Sequence, residues 1–325
     1  MRRKLFLSSS FIVFVFIMLG NMVSGQELKY PTKPIQVIIP YGPGGTNDII
    51  ARAVDSQLQE VLKTPIIHIN KTGGSGILAA AFVKEEKPDG YTILQGGLSV
   101  NIEIPIITPN CPYNLQDFIP IARTAYGPLV LLVKKNAPWD TLESFLVEAK
   151  KEPKKISLGI PGIGTSQHYV TKLFESETKI EFNIIPFKGD SANITALLGG
   201  HLQASVAGLT AATPYLKAED VKALASSGYD RHPLFKDIPL FREKGLPEVT
   251  LISWGGPFVR AGTPDYVVRI LDGAFREAAV HPSVISILEK AGVAPGYLGS
   301  DELKKLVPSE YNRLLKAAKL AGLIK

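Results

Sequence analysis

Cysteine occurs once in this chain, at Cys111. One thiol excludes an internal disulfide and a cysteine-built metal site, and leaves Cys111 as a small packing residue. Histidine is scarce: the five residues His68, His168, His201, His232 and His281 show no H-E-x-x-H or other metal-ligand spacing. An excess of one charge is also lacking. Of the net charge of +6, three positive charges belong to Arg2, Arg3 and Lys4. The remaining +3 is too slight, and too evenly mixed with acids, for a nucleic-acid surface. No long apolar run follows the first 25 residues, so nothing later resembles a membrane-spanning helix. Familiar catalytic signatures are missing. Gly42-Pro43-Gly44-Gly45 has neither the Lys-Ser/Thr of a nucleotide P-loop nor the G-x-G-x-x-G spacing. Gly73-Gly74-Ser75-Gly76 runs into Ile77 and Leu78, so there is no G-x-S-x-G elbow. Members of a catalytic triad need not be neighbours in sequence, so this excludes motifs and not every constellation.

What is present begins with a leader. Arg2, Arg3 and Lys4 form a charged start, Phe11 to Leu19 an apolar run, and Val23-Ser24-Gly25 a small-residue end, which is the layout of a secretory signal over residues 1–25. The apolar run is short for a membrane anchor, since a spanning helix needs about 20 apolar residues. No cysteine follows the leader to carry a lipid. The expected location is therefore an export compartment outside the cytoplasm, and the mature chain, about 300 residues long, suffices for two domains.

Short strands then alternate with helices. Ile35 to Ile39 reads as a buried parallel strand, and Ile49, Ile50, Ala53, Val54, Leu58, Val61 and Leu62 share one helical face. Pro65 to Ile69 is a second strand, Thr72 to Gly76 a second glycine-rich turn, Ile77 to Lys84 a helix and Tyr91 to Leu94 a third strand. The pattern restarts after Tyr126 with a strand at Leu129 to Val133 and a helix over Asp140 to Lys151, where Asp140 and Glu143 have capping-box spacing. Strands at Ile156 to Gly159, Phe182 to Pro186, Ala204 to Ala207 and Val221 to Ala225 complete a second set, and Leu251 to Phe258 is a late strand. Helices follow over Pro264 to Val280, Ser283 to Ala291 and from Ser300 onward, where Pro308 is expected to break or kink the run. The class is α/β: two sets of strand-loop-helix units, the second inserted into the first, with glycine turns at the carboxyl edges of the strands, where ligands sit in open α/β sheets.

The junction Val37 to Arg52, V-I-I-P-Y-G-P-G-G-T-N-D-I-I-A-R, carries the chemistry. A strand ending at Pro40, a glycine-rich loop and a helix starting near Thr46 to Asp48 aim backbone N–H groups and a positive dipole end at one spot, which suits a carboxylate. The same residues equally make a tight strand-to-helix turn. Asp48 caps the helix or pairs with Arg52. Gly164-Thr165-Ser166 repeats the arrangement in the second set, where each residue is also an ordinary N-cap candidate. Lys188 at a strand end would add a cation if it were not simply solvated, and His168 is the histidine placed to border such a cleft. Trp254, Tyr41 and Phe187 suit a core, with Tyr41 the exception because it lies inside the first loop.

Taken together, these segments resemble the solute-binding proteins of the tripartite tricarboxylate transporter family, the Bug proteins. The resemblance covers nearly the whole mature chain: Tyr30 to Ile35, Pro40-Tyr-Gly-Pro-Gly-Gly45 with Asp48 and Arg52, Asn70 to Gly76, and Pro88 to Thr92. It continues through Tyr113, Asp117, Phe118, Pro120-Ile-Ala122, Gly162-Ile-Gly-Thr-Ser-Gln-His168, Pro186-Phe-Lys-Gly189, Trp254 and Ala261 to Pro264. It implies a two-lobed type II periplasmic binding protein, a Venus flytrap, each lobe a mostly parallel sheet flanked by helices. The lobes would be residues 29–127 plus 254–325, and 128–253. It implies a carboxylated solute held between them by loop amides, hydroxyls and waters. Tyr41, Gly44, Gly45 and Thr46 would face that solute from one lobe, with Ser99 beside them, and Gly164, Thr165, Ser166 and Lys188 from the other. Departures from the family pattern are Tyr41 for phenylalanine, Thr72 for proline, Gly74-Ser75 for alanine-glycine, Ala207 where many members carry Asp, and Leu240 for Thr. The second-lobe changes fall where selectivity is expected to reside.

The reading that follows is a secreted, monomeric, non-catalytic protein without a cofactor. It would capture a small carboxylate and deliver it to the permease subunits of a tripartite tricarboxylate-type transporter. A carboxylate sensor docking on a receptor kinase is the alternative, and an exported enzyme on the same scaffold is a further one.

Overall fold

Ile35–Ile39 (β1) is apolar at four of its five positions and buries those four. The computed structural model, which describes residues 29–320 and 322–324, makes it the middle of a parallel trio; the leader expected at 1–25 lies outside the described residues. A helix, Thr46–Leu62 (α1), leads from β1 to Ile66–Asn70 (β2), and Ile77–Glu85 (α2) leads from there to Thr92–Gly97 (β3). Both outer strands pair parallel with β1. On α1, Ile50, Ala51, Ala53, Val54 and Leu58 form the buried face. After β3 the chain makes a π-type turn at Ser99–Glu103, which passes into a short helix, Ile104–Ile107 (α3).

Phe118–Pro120 (β4) and Ala122–Lys134 (β5) come next. The second set is Leu142–Ala149 (α4), Ser157–Ile160 (β6), Ser166–Thr178 (α5), Asn183–Pro186 (β7), Asp190–Leu198 (α6), Ala204–Gly208 (β8), Leu209–Lys217 (α7) and Val221–Ser226 (β9). Here β6 pairs parallel with β7 and β8, while β5 runs antiparallel to β8 and β9. The long strand β5 changes sheets at Pro128. Up to that residue it pairs with Ile252–Arg260 (β10), as in Ile252 opposite Pro128 and Trp254 opposite Tyr126, and from Leu129 it pairs with Gly208 on β8. Outgoing and returning chain therefore lie side by side at Tyr126–Pro128 and Ile252–Trp254.

Asp265–Ala279 (α8), Pro282–Lys290 (α9), Ala294–Gly299 (β11) and Ser300–Leu320 (α10) finish the chain, with β11 returning antiparallel to β5. Among the described strands, eight form one hydrogen-bonded path in the order β2-β1-β3-β10-β5-β8-β6-β7, and β4 pairs off it with β10, β9 and β11 with β5. Along it, a parallel trio stands at each end and antiparallel crossover strands lie between. The buried apolar cluster is continuous from Ile38 and Leu94 through Leu129 and Leu131 to Phe174 and Phe241. Among the described residues no helix is long and apolar enough to cross a membrane.

Two local expectations are corrected. The helix expected from Asp140 starts at Leu142, and its cap is Thr141, which exchanges hydrogen bonds with Ser144. Asp140 lies one residue ahead of that cap, and its carboxylate pairs with Lys222 Nζ at 2.6 Å. The expected break at Pro308 does not occur: the residue lies inside α10, which runs on to Leu320. One missing N–H removes one bond of a helix that packs along the π turn, β11 and α5.

Candidate functional site

The first glycine loop folds as a tight turn that its own acceptors satisfy. Gly44 takes φ +74, the left-handed conformation glycine adopts without a Cβ clash, and its N–H donates to Asp48 Oδ2 at 3.0 Å. Asp48 also accepts from Arg52 Nε and Asn70 Nδ2, each at 3.0 Å. Burial alone would raise the Asp48 pKa, but these donors and the Arg52 charge together hold it below the usual value. The Gly45 N–H donates to Gly42 O at 3.3 Å. Gly45 is the N-cap of α1 and has no side chain to cap it, so the start of the helix depends on partners from elsewhere.

That partner comes from the second set. The Asp190 carboxylate accepts from the Thr46 backbone N–H and, at Oδ2, from Thr46 Oγ1 at 2.9 Å, while its Oδ1 accepts from Gln167 Nε2 at 3.2 Å and from Gly208 N at 3.3 Å. Burial pushes the Asp190 pKa up, and the Thr46, Gly208 and Gln167 donors work against that push. The approach is close: a Cβ on Gly208 would stand 2.3 Å from Thr46 Oγ1. Nearby, Ser191 Oγ donates to Pro43 O at 2.9 Å. Loop 161–166 also meets the second glycine turn, since a Cβ on Gly162 would stand 2.5 Å from Ser75 Oγ.

A cavity of about 50 Å³ lies at this meeting point. Tyr41, Gly45, Thr46, Asn47 and Ser99 line one side, Pro161, Thr165, Gln167, Asp190, Gly208 and Thr210 the other, and Tyr126, Ser253 and Trp254 the crossover wall. Of the residues expected at a site, Tyr41, Gly45, Thr46, Ser99 and Thr165 thus reach the cavity. The remaining four are placed elsewhere. Gly44 is exposed beside Ser191, and Gly164 packs against Ile104 and Ile107. Ser166 is buried behind the wall, where its hydroxyl donates to Glu103 Oε2 at 2.6 Å. Lys188 is exposed and lines a separate outer groove with Thr72 to Ile77 and Ile163. His168 accepts from Gly164 N at 3.2 Å, and burial and then the Lys172 charge bring its pKa down to about 4, so it is neutral.

Behind Ser99 sits Glu103, fully buried. Its Oε2 accepts from Ser99 and Ser166, its Oε1 has no partner, and burial pushes its pKa up to about 8. The Tyr41 hydroxyl and Trp254 Nε1 are also buried without partners. Burial, then the nearby Glu103 and Asp190 charges, hold the Tyr41 pKa well above its ordinary value.

Asn47, Gln167, Asp190, Gly208, Thr210 and Ser253 were not singled out as site residues from sequence. Asp190 had a signal, since an acid in the first turn of a helix follows Lys188-Gly189, but that is also the commonest place for a structural acid. Ala207, one of the departures noted in the sequence, is fully buried and packs in the apolar cluster of the second set. The carboxylate that lines the cavity is Asp190.

Comparison with known proteins agrees with this architecture. The family described as "Tripartite tricarboxylate transporter family receptor" matches residues 50–323. Protein BugT of Bordetella pertussis is 28% identical, over 93% of this chain and 94% of its own. MatC from Rhodopseudomonas palustris with bound malate superposes with a TM-score of 0.85 at 27% identity, covering 89% of this chain and 99% of that one. R. palustris Rpa4515 with adipate superposes with a TM-score of 0.87 at 27% identity, covering 90% and 99%.

Proposed function

We propose that this chain, which belongs to the tripartite tricarboxylate transporter receptor family, captures a small carboxylate in the cavity between its two halves and delivers it to membrane permease subunits. The observation that carries this reading is the convergence of Thr46, from the first glycine loop, with Asp190 and Gly208, from the second set, around one enclosed space. Similar folds with malate and with adipate support a carboxylate as the cargo. A solute touching Asn47 and Ser99 on one side and Thr165 and Thr210 on the other would stabilise the arrangement in which these residues line one cavity.

The walls away from Asp190 offer the solute donors. Trp254 Nε1 is buried and unpartnered, and Asn47, Thr210 and Ser253 bring amide and hydroxyl hydrogens to the same walls. The Gly44 and Gly45 N–H groups are engaged by Asp48 and Gly42, so this part of the loop shapes the wall and sets the start of α1. We place the mature protein in the periplasm after removal of residues 1–25, acting there as a binder and not as a catalyst, in keeping with the solute-binding character of its family.

Mass spectrometry of small molecules released from natively purified protein tests the reading. A carboxylic acid is expected, and it should raise the melting temperature when added back. Replacing Gly45 by tryptophan should abolish calorimetric binding of every carboxylate tested. Unchanged binding in that variant, or no carboxylate raising the melting temperature, overturns the reading.

A further inference from the structure

The cavity wall is electrostatically one-sided. Among the described residues that line it, Asp190 is an acid and none is a lysine, arginine or histidine. Asp190 is 5% exposed, and its donors come from both halves of the molecule: the hydroxyl and backbone N–H of Thr46, the Gln167 amide and the Gly208 N–H. Hydrogen bonds of this polarity suit the ionised carboxylate, which only accepts. The crossover wall offers the opposite polarity. Trp254 is more than nine-tenths buried, and its Nε1–H has no partner. A buried donor left unpaired calls for an acceptor, which a solute in the adjoining cavity would supply.

A solute that carried carboxylates at both ends would set one of them against Asp190 in a space of low dielectric with no cation to offset it. That repulsion is far stronger there than in water. A solute with a carboxylate for the Trp254 side and an ammonium for the Asp190 side would meet both walls favourably.

We propose that Asp190 is a specificity determinant that selects solutes bearing an ammonium group as well as a carboxylate and disfavours plain dicarboxylates. This rests on the carboxylate-binding reading above and narrows it. Attraction to the right solute and repulsion of the wrong one come from the same atom group, the usual economy of a selective site.

Calorimetry with matched pairs tests it: succinate against aspartate, glutarate against glutamate, and adipate against 2-aminoadipate. In the natural protein the aminated member of at least one pair should bind about tenfold or more tightly than its plain partner, the scale of one charge-assisted contact. Asp190→Asn keeps an acceptor and removes the charge, so the ratio should collapse. Thr46→Val removes the hydroxyl donor but keeps the charge, so the ratio should persist whatever the absolute affinity. Melting curves of both variants establish that they are folded. Plain diacids binding as well as their aminated partners, or a ratio unchanged in Asp190→Asn, overturns the proposal and leaves the carboxylate reading standing. If no carboxylate of either kind binds, the broader reading falls and this inference falls with it.

Discussion

Ser166 Oγ donates to Glu103 Oε2 across 2.6 Å, joining the start of the helix Ser166–Thr178 to the π turn that follows the third strand. Ser99 Oγ reaches the same oxygen at 2.8 Å and lies 3.0 Å from the Ser166 hydroxyl. The contact between the two strand-loop-helix sets is thus built on a buried carboxyl one layer behind the cavity.

Burial raises Glu103 from its ordinary value of 4.5 to about 8. The unfolded chain loses this proton near 4.5 and the folded chain holds it to about 8. The stabilising contribution is therefore complete below pH 4.5 and is lost as pH rises through 8. Glu103→Gln, permanently neutral, should remove that slope. Urea midpoints at about pH 5 and about pH 9 should fall further in the natural protein than in the variant, by an energy on the order of a few kcal/mol. Parallel curves would show that Glu103 does not titrate in this window.

Trp254→Phe keeps an aromatic ring against Phe258, though a smaller one, and deletes the unpartnered Nε1–H. Removing a buried orphan donor costs the free protein little. Solute affinity should drop about tenfold while the melting temperature of the free protein stays near that of the natural chain. Calorimetry that finds full affinity would remove Trp254 from the binding groups.

Gly208 has φ −65, which alanine adopts freely, so Gly208→Ala isolates a steric effect. Its added methyl would stand 2.3 Å from Thr46 Oγ1 and 3.2 Å from Asp190 Oδ2. The two halves should be held apart, with solute affinity lowered about tenfold or more and a larger radius of gyration in small-angle scattering. Natural affinity with an unchanged scattering curve would mean the site absorbs the methyl.

Thr141→Ala should cost about 1 kcal/mol, because Thr141 and not Asp140 caps the helix Leu142–Ala149. Asp140→Ala should leave the urea midpoint nearly unchanged, since its side chain is 87% exposed and its partner Lys222 also bonds Ala137 O. The reverse order of effects would restore the Asp140 cap that its spacing suggests.

Much of the fold was legible. The apolar run Ile35–Ile39 and the helix face that includes Ile50, Ala53, Val54 and Leu58 are local patterns, and both appear where periodicity puts them. Asp48 was legible as a partner of Arg52, because four residues on a helix make them neighbours. The switch of sheets at Pro128 was not, since β5 is one unbroken strand and only its partners change. Ser99–Glu103 carries no turn residue that marks a π turn. Lys188 and Ser166 belong to recognisable loops, but the direction each side chain takes, outward to a groove and inward to Glu103, depends on the packing around it.

Local chemistry along the chain determined two α/β sets and the placing of glycine turns at the carboxyl ends of their strands, because backbone sterics and apolar periodicity act over a few residues. Only the tertiary structure decided what answers the positive end of the helix at Thr46. The group that does so, Asp190, lies 144 positions away. Electrostatic partners are chosen by distance through space, and no local pattern encodes that distance.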